Sequence, residues 1–173
     1  MPTFFSSLSL RHGYLAGFLS CVGLMAAAFY FEYVMYLDPC PLCMLQRVAV
    51  VLTGLGFLAA FFAQPSARQK AGPMLRLALI FTLAACVFGL WASGRHIWIQ
   101  SLPPSEVPAC APSIYYLMET TPALDVLSLM LKGDGNCAEI DWLFLGLSMP
   151  QWLCIWFVGF TAATLFALFK TRS

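Results

Sequence analysis

The chain has 173 residues, 61% of them hydrophobic and 10% charged, with a formal net charge of +1. Soluble domains run about 45–50% apolar and about 25% charged, so this composition belongs to a membrane protein. Nine basic against eight acidic residues leave no clustered positive charge for neutralising phosphates, which excludes nucleic acid as a partner. An aromatic content of 15% excludes disorder.

Charge-free runs mark four spans in chain order. Nineteen uncharged residues lie between Arg11 and Glu32, 20 between Arg47 and Arg68, and 18 between Arg76 and Arg95. The last run, Trp142 to Phe169, holds 28, of which the final 20 begin at Pro150. About 20 apolar residues cross a hydrocarbon core as a helix, and only internal hydrogen bonding satisfies the backbone in lipid. Ala26-Ala27-Ala28 resembles a leader cleavage site, but the first run exceeds the usual ~7–15 residues of a leader's apolar core, so it is read as a span. The predicted architecture is all-α. It is a single four-span bundle over residues 1–173, with spans at about 13–31, 44–64, 74–94 and 150–169 and outward loops at about 32–42 and 95–149.

An even number of spans puts both termini on one side. That side carries Arg11, Arg68, Lys70, Arg76, Lys170 and Arg172 and no acid; the other carries all eight acids with Arg47, Arg95 and Lys132. Lys and Arg near span ends mark the cytoplasmic side, so the termini are expected there and the loops outside. Trp91, Trp98, Trp142 and Trp152 fall near the outer ends of the spans, as an interfacial belt does. Gly13 and Gly17 form a small-residue pair of the kind that lets helices approach.

Seven cysteines divide by side. Cys21, Cys86 and Cys154 lie inside spans, where cysteine serves as a small hydrophobe. Cys40 and Cys43 stand at the short outward loop and Cys110 and Cys137 in the long one, on the face where disulfides persist. The first pair reads Asp38-Pro39-Cys40-Pro41-Leu42-Cys43 at the start of the second span. Pro41 suits the first helical position, which puts Cys40 near the N-cap and Cys43 in the first turn. Unpaired N–H groups and the helix dipole favour a thiolate there. Arg47, four residues after Cys43 and on the same face, supplies a cation for that thiolate or for negative charge on a bound acceptor. Snorkelling to lipid phosphates is its plainer alternative.

A structural disulfide across so short a loop contributes little. Structural zinc asks for four ligands at short spacing, whereas the second cysteine pair is 27 positions apart and His96 is the one histidine in the outward loops; no metal is expected. Cys110 lies in the proline-rich stretch Pro103 to Pro112, and Cys137 follows the turn-forming Gly133-Asp134-Gly135-Asn136. Between them a short amphipathic helix is predicted at residues 122–132, with Thr121 as N-cap, Pro122 first and Gly133 as terminator. Its face of Leu124, Leu127 and Leu131 suits a membrane surface. Mobile flanks favour a cysteine pair that presents itself to another protein's thiol; a purely structural bridge is the competing reading.

With Cys40-Pro-Leu-Cys43 followed by Gln46-Arg47, and Cys137-Ala-Glu-Ile-Asp-Trp-Leu-Phe-Leu-Gly-Leu-Ser-Met-Pro-Gln-Trp152, the chain resembles the DsbB disulfide bond formation proteins over essentially its whole length. The resemblance implies a bacterial inner-membrane oxidase that reoxidises the periplasmic dithiol protein DsbA and passes electrons to membrane quinone, ubiquinone or menaquinone. In that family such a route keeps the periplasm oxidising. By the same resemblance Cys110 forms the mixed disulfide with DsbA, Cys137 is its redox partner and relays to Cys40, Cys43 is the thiol nearest the quinone, and Arg47 and His96 are cofactor-binding. Gln46 stands where the family can carry an acid before the arginine. DsbA is a strong oxidant at about −120 mV, so a loop disulfide at about −180 mV would face an uphill transfer of roughly 2.8 kcal/mol; a quinone acceptor supplies the pull. A DsbI-like paralogue with a different client, or a tetraspan scaffold with structural disulfides or zinc, are the alternatives.

Overall fold

A computed structural model describes the backbone of residues 2–64 and 72–172 and the side chains of 10–64 and 72–171. Arg68 and Lys70, two of the charges assigned above to the terminal side, lie outside the described residues, as does the Arg172 side chain. Four long helices carry the apolar runs: α1 (Pro2–Tyr33), α2 (Pro41–Ala63), α3 (Pro73–Gln100) and α6 (Met149–Arg172). Each holds a stretch long and apolar enough to cross a bilayer, namely Leu10–Tyr33, Pro41–Ala63, Pro73–Gln100 and Met149–Thr171. The chain is an all-α multi-pass membrane protein.

Proline stands in the first turn of all four, with Pro2, Pro41 and Pro73 at the starts of α1, α2 and α3 and Pro150 second in α6; its missing N–H is no loss there. α1 packs on α2, α2 on α3 and α3 on α6, while α1 and α6 touch only sparsely. Inside, Phe57, Leu79, Phe157 and Phe160 are buried with Tyr14 and Cys86. The Thr82 and Thr164 hydroxyls donate to their own helices at Ala78 O (2.8 Å) and Phe160 O (2.7 Å), so neither is left bare among apolar side chains, whereas the buried Tyr14 hydroxyl has no partner among the described residues. Outside, Leu19, Leu55, Phe62 and Phe166 are exposed, as a lipid-facing surface requires. A Cβ at Gly17 would meet the Phe57 ring at 2.8 Å, whereas one at Gly13 would meet nothing within 4 Å among the described residues.

Three features of the long loop differ from expectation. The charge-free run ends at Gly94, yet α3 continues to Gln100 because no breaker intervenes before Pro103. His96 is therefore a buried helix residue rather than a loop histidine. An unforeseen helix α4 (Ile114–Thr120) precedes α5 (Ala123–Lys132), so Thr121 closes α4 and Pro122, not Thr121, is the N-cap of α5. Two short strands, β1 (Leu143–Phe144) and β2 (Leu147–Ser148), form a hairpin just before α6. Its two-residue turn has Leu145 at φ 52 and Gly146 at φ 79, the double left-handed geometry that tight hairpins need.

The loop elements close over one end of the bundle. α5 and a 3-10 turn (Gly135–Ala138) lie against the start of α2 and the end of α3, where Leu42, Leu45, Ala92 and Ile99 form a second core with Cys40 and Cys137. Gly133 terminates α5 at φ +75, and a Cβ there would stand 2.7 Å from Ile99 Cδ1 and 2.8 Å from Leu42 Cδ1. Arg95 fixes the same corner: its guanidinium donates to the Lys132 carbonyl at 3.2 and 3.3 Å and lies 4.4 Å from the Trp98 ring centroid. Leu124, Leu127 and Leu131 of α5 are exposed.

Candidate active site

The second core brings three of the loop-end cysteines together. Cys40 is the N-cap of α2, its sulfur accepting from the Cys43 N–H at 3.2 Å. The Cys40 and Cys43 sulfurs are 2.7 Å apart, the juxtaposition that a C-x-x-C at a helix start imposes. Cys137, wholly buried in the 3-10 turn, comes down on the same sulfur: the donor atoms of Cys40, His96 and Cys137 all lie within 4.8 Å of one another. His96 Nε2 is 3.8 Å from Cys40 Sγ, and its Nδ1 is buried without a partner among the described residues.

Two thiols and an imidazole are also the donor types that a soft cation takes. Sequence spacing spoke against such a set; the fold gathers three groups, one short of a closed structural site. Cys21 and Cys86 are buried in the membrane core and Cys154 is half-buried on α6, apart from this group.

The pair Cys40 and Cys137 is polarised. The hydrogen bond from the Cys40 thiol, joined by backbone hydrogen bonds from Asp134 and Leu42, outweighs burial and holds the Cys137 thiol below its ordinary pKa. Cys40 is pushed well above its own, first by its hydrogen bonds to Cys137 and Cys43 and then by burial. The helix start was expected to favour a thiolate, with Arg47 as the cation beside Cys43. Instead the neighbouring sulfurs push Cys40 up, and Cys137, whose thiol donates to the Asp134 carboxylate at 3.6 Å, is the more acidic of the pair.

Cys110 is exposed but not loose. The Asp134 carboxylate accepts from the Ala111 N–H at 3.1 Å, and the Asn136 amide donates to the Ala111 carbonyl at 2.9 Å. Gly135 permits the approach: a Cβ there would lie 2.7 Å from the Cys110 sulfur. The flanks of both cysteines, expected to be mobile, are thus stitched to each other by the side chains of the Gly-Asp-Gly-Asn run.

Arg47 points elsewhere. Its guanidinium pairs with Glu32 at the end of α1, donates to Ala28 O at 3.3 Å and stands 5.8 Å from the Phe29 ring centroid. The other Glu32 oxygen accepts from the Tyr115 hydroxyl of α4, and that carboxylate, more than burial, holds the Tyr115 phenol above its usual pKa. Gln46, beside Arg47 in sequence, donates to Ser93 Oγ at 3.2 Å and joins α2 to α3. No short-range pattern pointed to Glu32, since its partner lies on the next helix.

Two cavities meet at this end. A cleft of about 50 Å³ is lined by Cys40, Cys43, His96, Trp142 and Met149 and rimmed by Asp38, Glu139 and Asp141. An apolar pocket of about 230 Å³ lies between α1 and α6, walled by Ala28, Phe31, Phe144, Trp152 and Trp156, and shares Trp142 and Met149 with the cleft. Its aromatic wall is continuous, with ring centroids 5.0 Å apart for Phe31 and Trp142 and 5.7 Å for Trp142 and Phe144.

The chain is similar in sequence to known proteins. The family profile described as "Disulfide bond formation protein DsbB" matches residues 10–167. A disulfide bond formation protein B of Hahella chejuensis is 46% identical over 162 residues, covering 92% of this chain and 94% of that protein. The proteins of that name from Methylococcus capsulatus and Marinobacter nauticus are 44% identical over 157 residues and 46% identical over 156. This chain belongs to the DsbB family and is a membrane disulfide oxidoreductase of disulfide bond formation.

Proposed function

We propose that the protein is a thiol:quinone oxidoreductase that reoxidises a periplasmic thioredoxin-fold dithiol protein, DsbA, and passes the electrons to ubiquinone or menaquinone. The observation that carries this reading is the Cys40 sulfur, which neighbours Cys43 on one side and Cys137 on the other, beside a cleft that shares Trp142 and Met149 with an aromatic pocket on the lipid side.

The exchange runs through sulfur alone until its last step. A partner thiolate attacks Cys110 of a Cys110–Cys137 disulfide, forming a mixed disulfide and releasing Cys137 as thiolate. The partner's second thiol displaces Cys110 and leaves the partner oxidised. Cys137, whose low pKa favours the attacking form, attacks Cys40 of a Cys40–Cys43 disulfide; a Cys137–Cys40 bond forms and Cys43 departs as thiolate. Cys110 then displaces Cys40, restoring Cys110–Cys137 and leaving Cys40 and Cys43 reduced. A quinone accepts the two electrons and two protons that this pair gives up.

The aromatic pocket suits such a cofactor: it is apolar, flat-walled and open where α1 and α6 part, so a ring can stack while a prenyl chain stays in lipid. Trp142 and Met149 form the shared wall, Cys43 faces the cleft and His96 offers an imidazole beside Cys40. Arg47 reaches the pocket's edge through the Ala28 carbonyl. The protein is a multi-pass protein of the bacterial inner membrane in this reading, with both termini cytoplasmic, the cysteine loops periplasmic and residues 1–173 one domain. Quinone reduction by the purified protein, with reduced DsbA as donor, tests it; a Cys43→Ser protein is expected to be inactive.

A further inference from the structure

The acid at the end of α1 has no local reason to be there. Glu32 lies in the last turn of α1, which carries no basic residue, and a negative charge at a helix C-terminus opposes the helix dipole. Its side chain is nonetheless only 8% exposed, and that of the Arg47 it meets 16%. A partly buried ion pair is weak support for stability, so its role lies elsewhere. The two carboxylate oxygens are divided between two elements: one takes the Arg47 guanidinium of α2, the other the Tyr115 hydroxyl of α4. Tyr115 sits five residues after Cys110, in the segment stitched to Gly135 and Asn136. Gln46, next to Arg47 in sequence, is turned the other way and donates to Ser93 of α3.

We infer that Glu32 is the positioning residue for Arg47, supplying its acidic partner from α1, and that through Tyr115 it ties the Arg47 guanidinium to the segment bearing Cys110. The inference rests on the reading of Arg47 as a quinone contact. Glu32 holds the guanidinium against α1, beside the Ala28 carbonyl that borders the aromatic pocket, and keeps it from turning out to lipid phosphates. Neither Glu32 nor Tyr115 lines the pocket or the cysteine cleft, so both act on the quinone side only through Arg47.

The test is steady-state quinone kinetics of the full-length protein with reduced DsbA as donor, measuring quinone KM, donor KM and kcat for each variant. Glu32→Gln is expected to raise the quinone KM about tenfold, the size of a lost charge-assisted hydrogen bond, with donor KM near the parent value. Tyr115→Phe, a change on the exposed loop that leaves the bundle intact, is expected to raise the quinone KM about two- to threefold. The double variant is expected to be no worse than Glu32→Gln, since both act through one carboxylate. A shift confined to donor KM, or a quinone KM unchanged or lowered in both single variants, overturns the inference. Arg47→Ala separates it from the underlying reading: a raised quinone KM there with none in Glu32→Gln overturns the positioning role alone, whereas no change in Arg47→Ala overturns both.

Discussion

Cys40 and Cys137 come from opposite ends of the folded loop region, yet their sulfurs lie within 4.8 Å of one another in a core closed by Leu42 and Ile99. In the relay we propose, that contact joins the two loop pairs. Mild oxidation of a reduced Cys43→Ser, Cys110→Ser double variant should therefore give a Cys40–Cys137 cross-link in high yield, read by peptide mapping. A product lacking that cross-link would place the two pairs on independent paths.

The polarity of this contact is a statement about pH. Cys137 is held below its ordinary pKa by the Cys40 thiol, and Cys40 is held above its own. In a variant retaining only these two cysteines, thiolate absorbance should rise in two steps straddling the free-thiol value of about 8.5. The thiolate contact contributes to stability above the unfolded thiol pKa and loses it as pH falls through the lowered Cys137 value; Cys40, shifted up, loses its contribution as pH rises through its own raised value. Cys137→Ser should remove the lower step. A single step at the free-thiol value would contradict the polarised pair.

Gly135 is the close approach that lets Cys110 reach the 3-10 turn. In Gly135→Ala the new methyl meets both the Cys110 sulfur and the Pro108 carbonyl, so the segment carrying Cys110 must move. A displacement of about an ångström can cost roughly 100-fold in rate, and exchange between the partner and Cys110–Cys137 should slow toward that factor while quinone kinetics with a small dithiol donor stay near normal. Equal slowing with both donors would mean a general folding defect.

The three span cysteines give the opposite expectation. Cys21 and Cys86 are buried and Cys154 half-buried, all away from the loop-end core, and Thr53 Oγ stands 3.8 Å from Cys86 Sγ to receive a replacement hydroxyl. Serine at each position should leave turnover within about twofold, with small stability losses read as melting temperature. A large drop in turnover at any of them would mean a fifth redox thiol.

Much of this was legible in the residues. Charge-free runs located four helices because the hydrocarbon core tolerates no charges, and Pro41, Pro150 and Gly133 marked element ends because their backbone preferences are local. What escaped depends on distance along the chain. Glu32 reads as an ordinary boundary charge until α2 packs on α1 and Arg47 arrives. His96 reads as a loop residue until α3 continues unbroken to Gln100 and turns it toward Cys40. The hairpin left a trace in Leu145-Gly146, but a leucine at positive φ is an unusual signal. The order around Cys110 comes from Asp134 and Asn136 bonding a backbone more than twenty residues upstream, which turn propensity alone does not reveal.

The most direct measurement is optical: reduction of a soluble quinone analogue by the purified protein with stoichiometric reduced DsbA, anaerobically, in parent and Cys43→Ser forms. The account predicts one quinone reduced per partner oxidised in the parent, and no quinone reduction in Cys43→Ser. Partner oxidation without quinone reduction in the parent, or undiminished quinone reduction in Cys43→Ser, would contradict it.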